Sequence, residues 1–525
     1  MKKRLLAGFG VLAAIGAVWI TAQNAQTSNS LSSLFPGGAL VYVEARDLST
    51  LLRDWNASEE KRLWLTSDNH EVFSRTRLFM RLAEAQEQFA ETAGFAPDMS
   101  LVNSIAGAQS AIAIYDIGEL EFLYVTRLPA ARILNSTPFS QRNAYESRES
   151  AGIPYYVRSG ANKRVAAFGS ADGLLFLGTR GDLVANALAL HAKRRGITPL
   201  AQDRWYNELT RAAASPGDIR IALNMPGLLK TSYFRSYWIQ RNASQLKPFS
   251  AGVVDLFREP QQVREERLLL RESQSAAPSE QAVAQVTAWA PSDSGLYRAW
   301  ADPETDEIVN VIRTKITNPG PTGDAPGRTA PSAANPDTVA GDSSDLETRI
   351  DQPPLQTQAH DAAAELRPVI EAANVQAMLQ VQSSRTSGDG VFVGNDPAIA
   401  LLAGSDWPAI TLPDGVVHRQ GRILVLATNA AMLQKIVAQI GAPPAANSAS
   451  AYIAHHSHSR ELAAFTRMMA QIDAGSIDVA GGGPRFFSQN VASLGRVLNR
   501  VDSATIVVRD DGRRVAQQMI YRLKP

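Results

Sequence analysis

The chain predicts an α+β fold: two related modules of mainly antiparallel sheet covered by helices, behind an N-terminal hydrophobic signal or anchor helix and interrupted by a disordered Pro/Gly/Ser-rich linker. Three observations carry this. Apolar runs alternate with period two and are joined by short turns, which is the mark of hairpins rather than of βαβ crossovers. Amphipathic helical segments lie between those runs. Four segments of the first half recur in the same order in the second, at offsets of about 250 residues, which argues for an internal duplication.

Taken in order, residues 1–30 begin with Lys2, Lys3 and Arg4, followed by an uncharged apolar run from Leu5 to Ile20. Cations before an apolar core are the pattern of an export signal. The run is short of the roughly 20 residues that span a bilayer, and Thr21 and Ala22 extend it. Two outcomes stay open: an inner-membrane anchor formed by residues 5–22, or a cleaved signal and a secreted protein. Both place the rest of the chain outside the cytoplasm of a bacterial cell, in the periplasm if anchored, because the cations stay inside.

The first module is expected over 31–275. "PGGALVYVEARD" from Pro36 to Asp47 is a strand that runs through Asp47 into a helix, and "SEEKR" from Ser58 reads as a helix N-cap with acids in its first turn. "RLFMRLAEAQEQFAETAGF" sets Leu78, Leu82, Phe89 and Ala93 on one helical face, with Gly94 where a left-handed residue ends a helix. "SAIAIYDIGELEFLYVTRL" reads as a hairpin turning at Asp116-Ile117-Gly118. "LVANALALHAKRRG" reads as a helix with Lys193, Arg194 and Arg195 in its last turn and Gly196 beyond.

The second module is expected to start over 285–317, to be interrupted by a linker over 318–360, and to resume over 361–525. The linker is rich in Pro, Gly, Ala, Ser and Asp and nearly free of large apolar residues, so ordering it would not be offset by burial. The four matched pairs are "PGGALVYVEARD" with "PSDSGLYRAWAD", "GLLFLGTRGDLVANAL" with "RILVLATNAAMLQKIV", "DIRIALNMPGLLKTSYF" with "AYIAHHSHSRELAAF", and 249–271 with 486–523. The last pair is expected to be a helix leading into a closing strand.

Composition excludes several functions. Lys plus Arg number 52 and Asp plus Glu 51, so no global field draws the chain to nucleic acid. It has no cysteine, which removes disulfides, thiolate zinc sites and thiol catalysis. No G-x-S-x-G elbow, H-E-x-x-H helix or P-loop is present. His70 beside Asp68 and Glu71 is expected at a solvated helix start, and "AGGGP" from Ala480 in a loop.

With "LFPGGALVYVEARDLSTLLRDWNASEEKRLW", "YDIGELEFLYVTRLP" and "YFRSYWIQRN" in view, the chain resembles a group of secreted or membrane-anchored bacterial proteins catalogued as a domain of unknown function. The resemblance covers most of 31–275 and weakens beyond the linker. It implies an exported location and duplicated α+β halves, and assigns no catalytic or binding residue.

Two clusters remain as candidate sites. His455, His456 and His458 crowd one segment; on a strand, His456 and His458 share a face, and His418 from a neighbouring strand would make a third zinc ligand. The alternative is an ordinary half-buried strand, as its match to "DIRIALNM" suggests. Tyr233, Phe234, Tyr237, Trp238 and Arg241 form the second cluster, a partner surface or else one buried helix face. The function expected is therefore non-enzymatic binding or scaffolding in the envelope, with no cofactor and an unknown envelope protein or lipid as partner. A lipid or peptide carrier with an apolar groove, and a metal-assisted hydrolase using His418, His456 and His458, are the alternatives.

Overall fold

The computed structural model describes residues 30–66, 70, 74, 77–161, 164–231, 246–317, 361–388, 390, 392–413, 415–444, 449–473 and 499–524. The apolar leader, the 318–360 linker, the aromatic cluster at 233–241 and the glycine-rich 480–484 lie outside them. Among the described residues no helix is long and apolar enough to cross a membrane.

The architecture is α+β, built on a large antiparallel sheet. Its first ten strands are β1 (Val41–Ala45), β2 (Ser110–Asp116), β3 (Glu121–Arg127), β4 (Glu146–Ser150), β5 (Ile153–Ser159), β6 (Val165–Ala171), β7 (Leu174–Gly178), β8 (Ile219–Asn224), β9 (Phe249–Glu259) and β10 (Gln262–Arg271). The others are β11 (Leu296–Ala301), β12 (Val375–Thr386), β13 (Phe392–Ala403), β14 (Val416–Gln420), β15 (Ile423–Ala427), β16 (Tyr452–Ser457), β17 (Val501–Asp510) and β18 (Arg514–Leu523). Their lateral order is β4-β5-β6-β7-β3-β2-β1-β8-β9-β10-β18-β17-β16-β11-β12-β13-β15-β14, every neighbour antiparallel.

That order repeats. From β6 to β10 the path is 6-7-3-2-1-8-9-10, and from β14 to β18 it is 14-15-13-12-11-16-17-18. Registers repeat as well: Tyr42 lies opposite Ala113 and Ala222, and Tyr297 opposite Val381 and His455. Carried outward through β9 and β17, this correspondence makes Glu266 of β10 the equivalent of Gln518 of β18. Those two residues pair with each other across the β10–β18 seam, with Gln518 Nε2 donating to Glu266 Oε1 at 3.3 Å. A local two-fold axis thus passes through that pair, and one unbroken sheet joins the halves.

Helices cover both faces. On one side lie α5 (Gly181–His191) and α6 (Arg204–Ala212) in the first half, and α8 (Glu280–Thr287) and α11 (Ala430–Val437) in the second. They bury Tyr42, Phe176 and Leu188, and Ala299, Leu379 and Val425, respectively. The other side carries α1 (Leu48–Ala57), α2 (Glu59–Leu65), α3 (Arg77–Ala93), α4 (Met99–Ile105) and α7 (Met225–Lys230), then α9 (Thr305–Ile312), α10 (Arg367–Ala373) and α12 (His458–Asp473). Strands such as β7, "LLFLG", are buried at every position because they are covered on both sides.

Local signals account for many of these elements. Asp47, Ser58 and Asn429 cap α1, α2 and α11 through side-chain oxygens. The β2–β3 turn is held by Asp116 Oδ1 accepting from Glu119 N at 2.8 Å, and Gly94 ends α3 at φ +77°. Thr179 and Thr428 occupy matching places, each donating its backbone N–H to a neighbouring-strand carbonyl, Phe122 and Pro397.

Three expectations are corrected. Residues 249–271 form the hairpin β9–β10, not a helix into a strand, because the Pro260-Gln261 turn joins two runs that pair with each other from Glu259 opposite Gln262 inward. The helix at 181 ends at His191, before its cationic residues, with Lys193 at φ +56°. His458 is not on the strand with His456 but opens α12.

Candidate ligand pocket in the second half

A half-open cavity of about 630 Å³ lies on the second-half sheet, on the face carrying α9 and α12. That volume suits a drug-sized ligand. Its floor comes from alternate residues of four adjacent strands: Leu296 and Arg298 of β11, Gln380 and Gln382 of β12, Tyr452, Ala454 and His456 of β16, and Ala504 and Ile506 of β17. Asn310 and Val311 of α9, and Thr314 and Lys315 of the π-helical turn after it, form one wall.

Arg298 is the centre. Its Nε donates to Gln380 Oε1 at 2.8 Å, and its guanidinium carbon lies 5.0 Å from the ring centroid of buried Trp300. The first bond fixes the head and the ring holds it by cation–π attraction. The two Nη groups remain for another acceptor. No carboxylate lines the cavity among the described residues. Burial raises the Tyr452 hydroxyl pKa, with Arg298 opposing and Glu307 adding to it. Burial also lowers the His456 pKa, against the pull of Glu461.

The repeating register supplies a comparison within the chain. Arg298, Gln380, Gln382, Tyr452 and His456 stand where the first half has Val43, Ile112, Ile114, Ile219 and Leu223. The fold accepts an all-aliphatic floor at these five positions, so the polar one is not demanded by folding.

On the opposite face the polarity runs the other way, but to a different end. There Glu44 accepts from Ser30 Oγ, Leu31 N, Tyr42 OH and Gln109 Nε2. Arg220 and Asp255 form a buried bidentate pair at 2.8 and 2.7 Å. Those groups satisfy one another and pin the 3-10 turn Leu31–Leu34 to the sheet. The floor around Arg298 instead gathers donors at an open cavity.

The histidine triad does not assemble. His418 lies on the edge strand β14, five strand steps from His456 of β16; at about 4.8 Å per step that is roughly 24 Å, too far for one metal. His456 and His458 do approach, with ring centroids 5.8 Å apart. His455 faces the other side, stacked on Tyr297 with Nδ1 3.0 Å from Thr505 Oγ1. Among the described residues no three His, Cys, Asp or Glu side chains form a metal-holding group. Tyr233, Phe234, Tyr237, Trp238 and Arg241 lie outside the described residues.

Of the histidines singled out from sequence, His455 and His456 both border the cavity, and His456 is the one in register with the floor residues, the His455 ring being stacked on Tyr297. Arg298, Gln380 and Gln382 were not singled out. One signal for Arg298 was present: in "GLYRAWA" it replaces the Val43 of "LVYVEAR" in the same alternating register.

No protein-family model matches the chain, and no curated protein matches it. Among solved structures it is similar to TP0453. Crystal form I matches at 13% identity and a TM-score of 0.25, covering 48% of this chain and 82% of that one. Crystal form III matches at 13% identity and 0.25, covering 50% and 88%.

Proposed function

We propose that this is an exported, non-enzymatic binding protein of the bacterial envelope, whose ligand occupies the cavity over Arg298. The observation that carries the reading is the polar floor. Five polar side chains stand where the same chain, in the same register, manages with aliphatic ones. Polar groups kept at buried or half-buried positions that aliphatic residues can fill sacrifice stability, which is how ligand sites commonly arise.

The rest of the molecule suits a scaffold. The repeated strand order supports an origin by duplication, and the β10–β18 seam makes the halves one body. The cationic and apolar leader supports export. Among the described residues the cavity lining holds no carboxylate, serine or cysteine beside His456, and its Thr314, Lys315 and Tyr452 come from three separate positions of wall and floor. This favours the carrier form of the reading over hydrolysis.

The test is to purify the full chain from its native host under non-denaturing conditions and weigh it by native mass spectrometry. A bound small molecule is expected, and it should be absent from the variant carrying Arg298→Val, Gln380→Ile, Gln382→Ile, Tyr452→Ile and His456→Leu. Equal retention by both proteins would remove the cavity as the site.

A further inference from the structure

Resting on that reading, we propose that the ligand is amphipathic, with an anionic carboxylate or phosphate group held by Arg298 and an apolar body lying over Leu296, Ala454, Ala504 and Ile506. Three features of the cavity select this class.

The first is the guanidinium geometry. Because Nε is committed to Gln380, the free edge of Arg298 is its Nη1/Nη2 pair, which matches the two oxygens of a carboxylate or phosphate. Gln380 accepts with its carbonyl oxygen, which leaves its amide NH2 as a further donor.

The second is the charge balance. Arg298 and Lys315 both line the cavity, and no acid does among the described residues. The carboxylates nearest in effect, Glu307 toward Tyr452 and Glu461 toward His456, stand outside the lining. Glu461 is held by the backbone N–H of Ser384. A cationic ligand would be repelled by Arg298, and a neutral apolar one would cover its Nη groups without offering them an acceptor, which is costly.

The third is size. A volume of about 630 Å³ is far more than one small anion fills. Beyond the polar groups around Arg298, the floor carries the aliphatic Leu296, Ala454, Ala504 and Ile506, which give the body of the ligand an apolar surface to lie on.

Calorimetric titration of the full chain with decyl phosphate, decanoate, decanol and inorganic phosphate, below micellar concentrations, tests this. Decyl phosphate and decanoate are expected to bind. Decanol and inorganic phosphate should each bind at least tenfold more weakly, which separates an amphiphile from a free anion. Arg298→Gln should weaken decyl phosphate about tenfold to a hundredfold. Arg298→Lys, which keeps the charge but loses the fork, should fall between, and both variants should melt cooperatively.

Decanol binding as tightly as decyl phosphate, with Arg298→Gln unaffected, would overturn the anionic assignment while leaving a binding cavity. Inorganic phosphate binding as tightly as decyl phosphate would overturn the amphipathic one. Binding of every probe equally to the five-residue floor variant would overturn the proposed site as well.

Discussion

The buried ion pair of the first half offers a sharp test of the repeat. Arg220 and Asp255 are 7% and 3% exposed. Arg220 Nη2 also donates to Ala214 O at 2.8 Å, and Asp255 Oδ1 accepts from Gly217 N at 3.0 Å. At the equivalent β16–β17 positions the second half has Ile453 opposite Val507. Asp255→Val strands a guanidinium in the core, and Arg220→Ile strands a carboxylate with one backbone donor. Each single substitution should cost about 3–5 kcal/mol. The double substitution strands no charge. It leaves the Gly217 N–H and Ala214 C=O short of a partner, at roughly 1–3 kcal/mol each before the gain from two apolar side chains. The double variant should therefore be no less stable than either single one, with a coupling of at least about 3 kcal/mol. Urea unfolding followed by far-UV circular dichroism on the four proteins of the cycle measures it. Costs that add to within about 0.5 kcal/mol would refute the claim that the pair, and not the fold position, sets the penalty.

The five-residue floor substitution should raise the melting temperature while abolishing ligand uptake; a lowered melting temperature would show that the polar floor is structural. The three clustered histidines have pKa values lowered first by burial, with His456, Arg522 and Lys524 adding to it at His455 or His458. The unfolded chain therefore takes up protons first, so their stability is intact above about pH 6.5 and is lost as pH falls from there through the lowered folded values. Melting temperature should drop between pH 7.5 and 5.5, and His455→Ala, His456→Leu and His458→Met together should flatten that drop. Gly217→Ala would put a Cβ 2.3 Å from the Leu256 carbonyl oxygen, a clash with backbone. Thermal melts should show it destabilised, unlike Gly388→Ala, where nothing lies within 4 Å.

What the sequence by itself determined was local. Capping by Ser58, the turn at Asp116, the end of a helix at Gly94 and the alternation of the strands depend on residues a few positions apart, so they are legible in a linear string. The match of Tyr42 to Tyr297 and of Thr179 to Thr428 located equivalent strands for the same reason. The hairpin at 249–271 was missed because "VVDLF" and "RLLLR" also suit a helix when their partners are unknown, and only pairing with β8 and β18 removes the ambiguity. The candidate site was legible in one residue, His456, and its neighbours in the string misled: His458 turned out to open a helix and His418 to lie five strands away. Arg298, Gln380 and His456 converge because β11 lies between β12 and β16, residues distant in the chain but about 4.8 Å apart across each ladder. That adjacency, like the axis through Glu266 and Gln518, is set by which edges pair after the chain has folded. Only the tertiary structure decided it, because strand neighbours are chosen by non-local burial and hydrogen bonding that no short window of sequence contains.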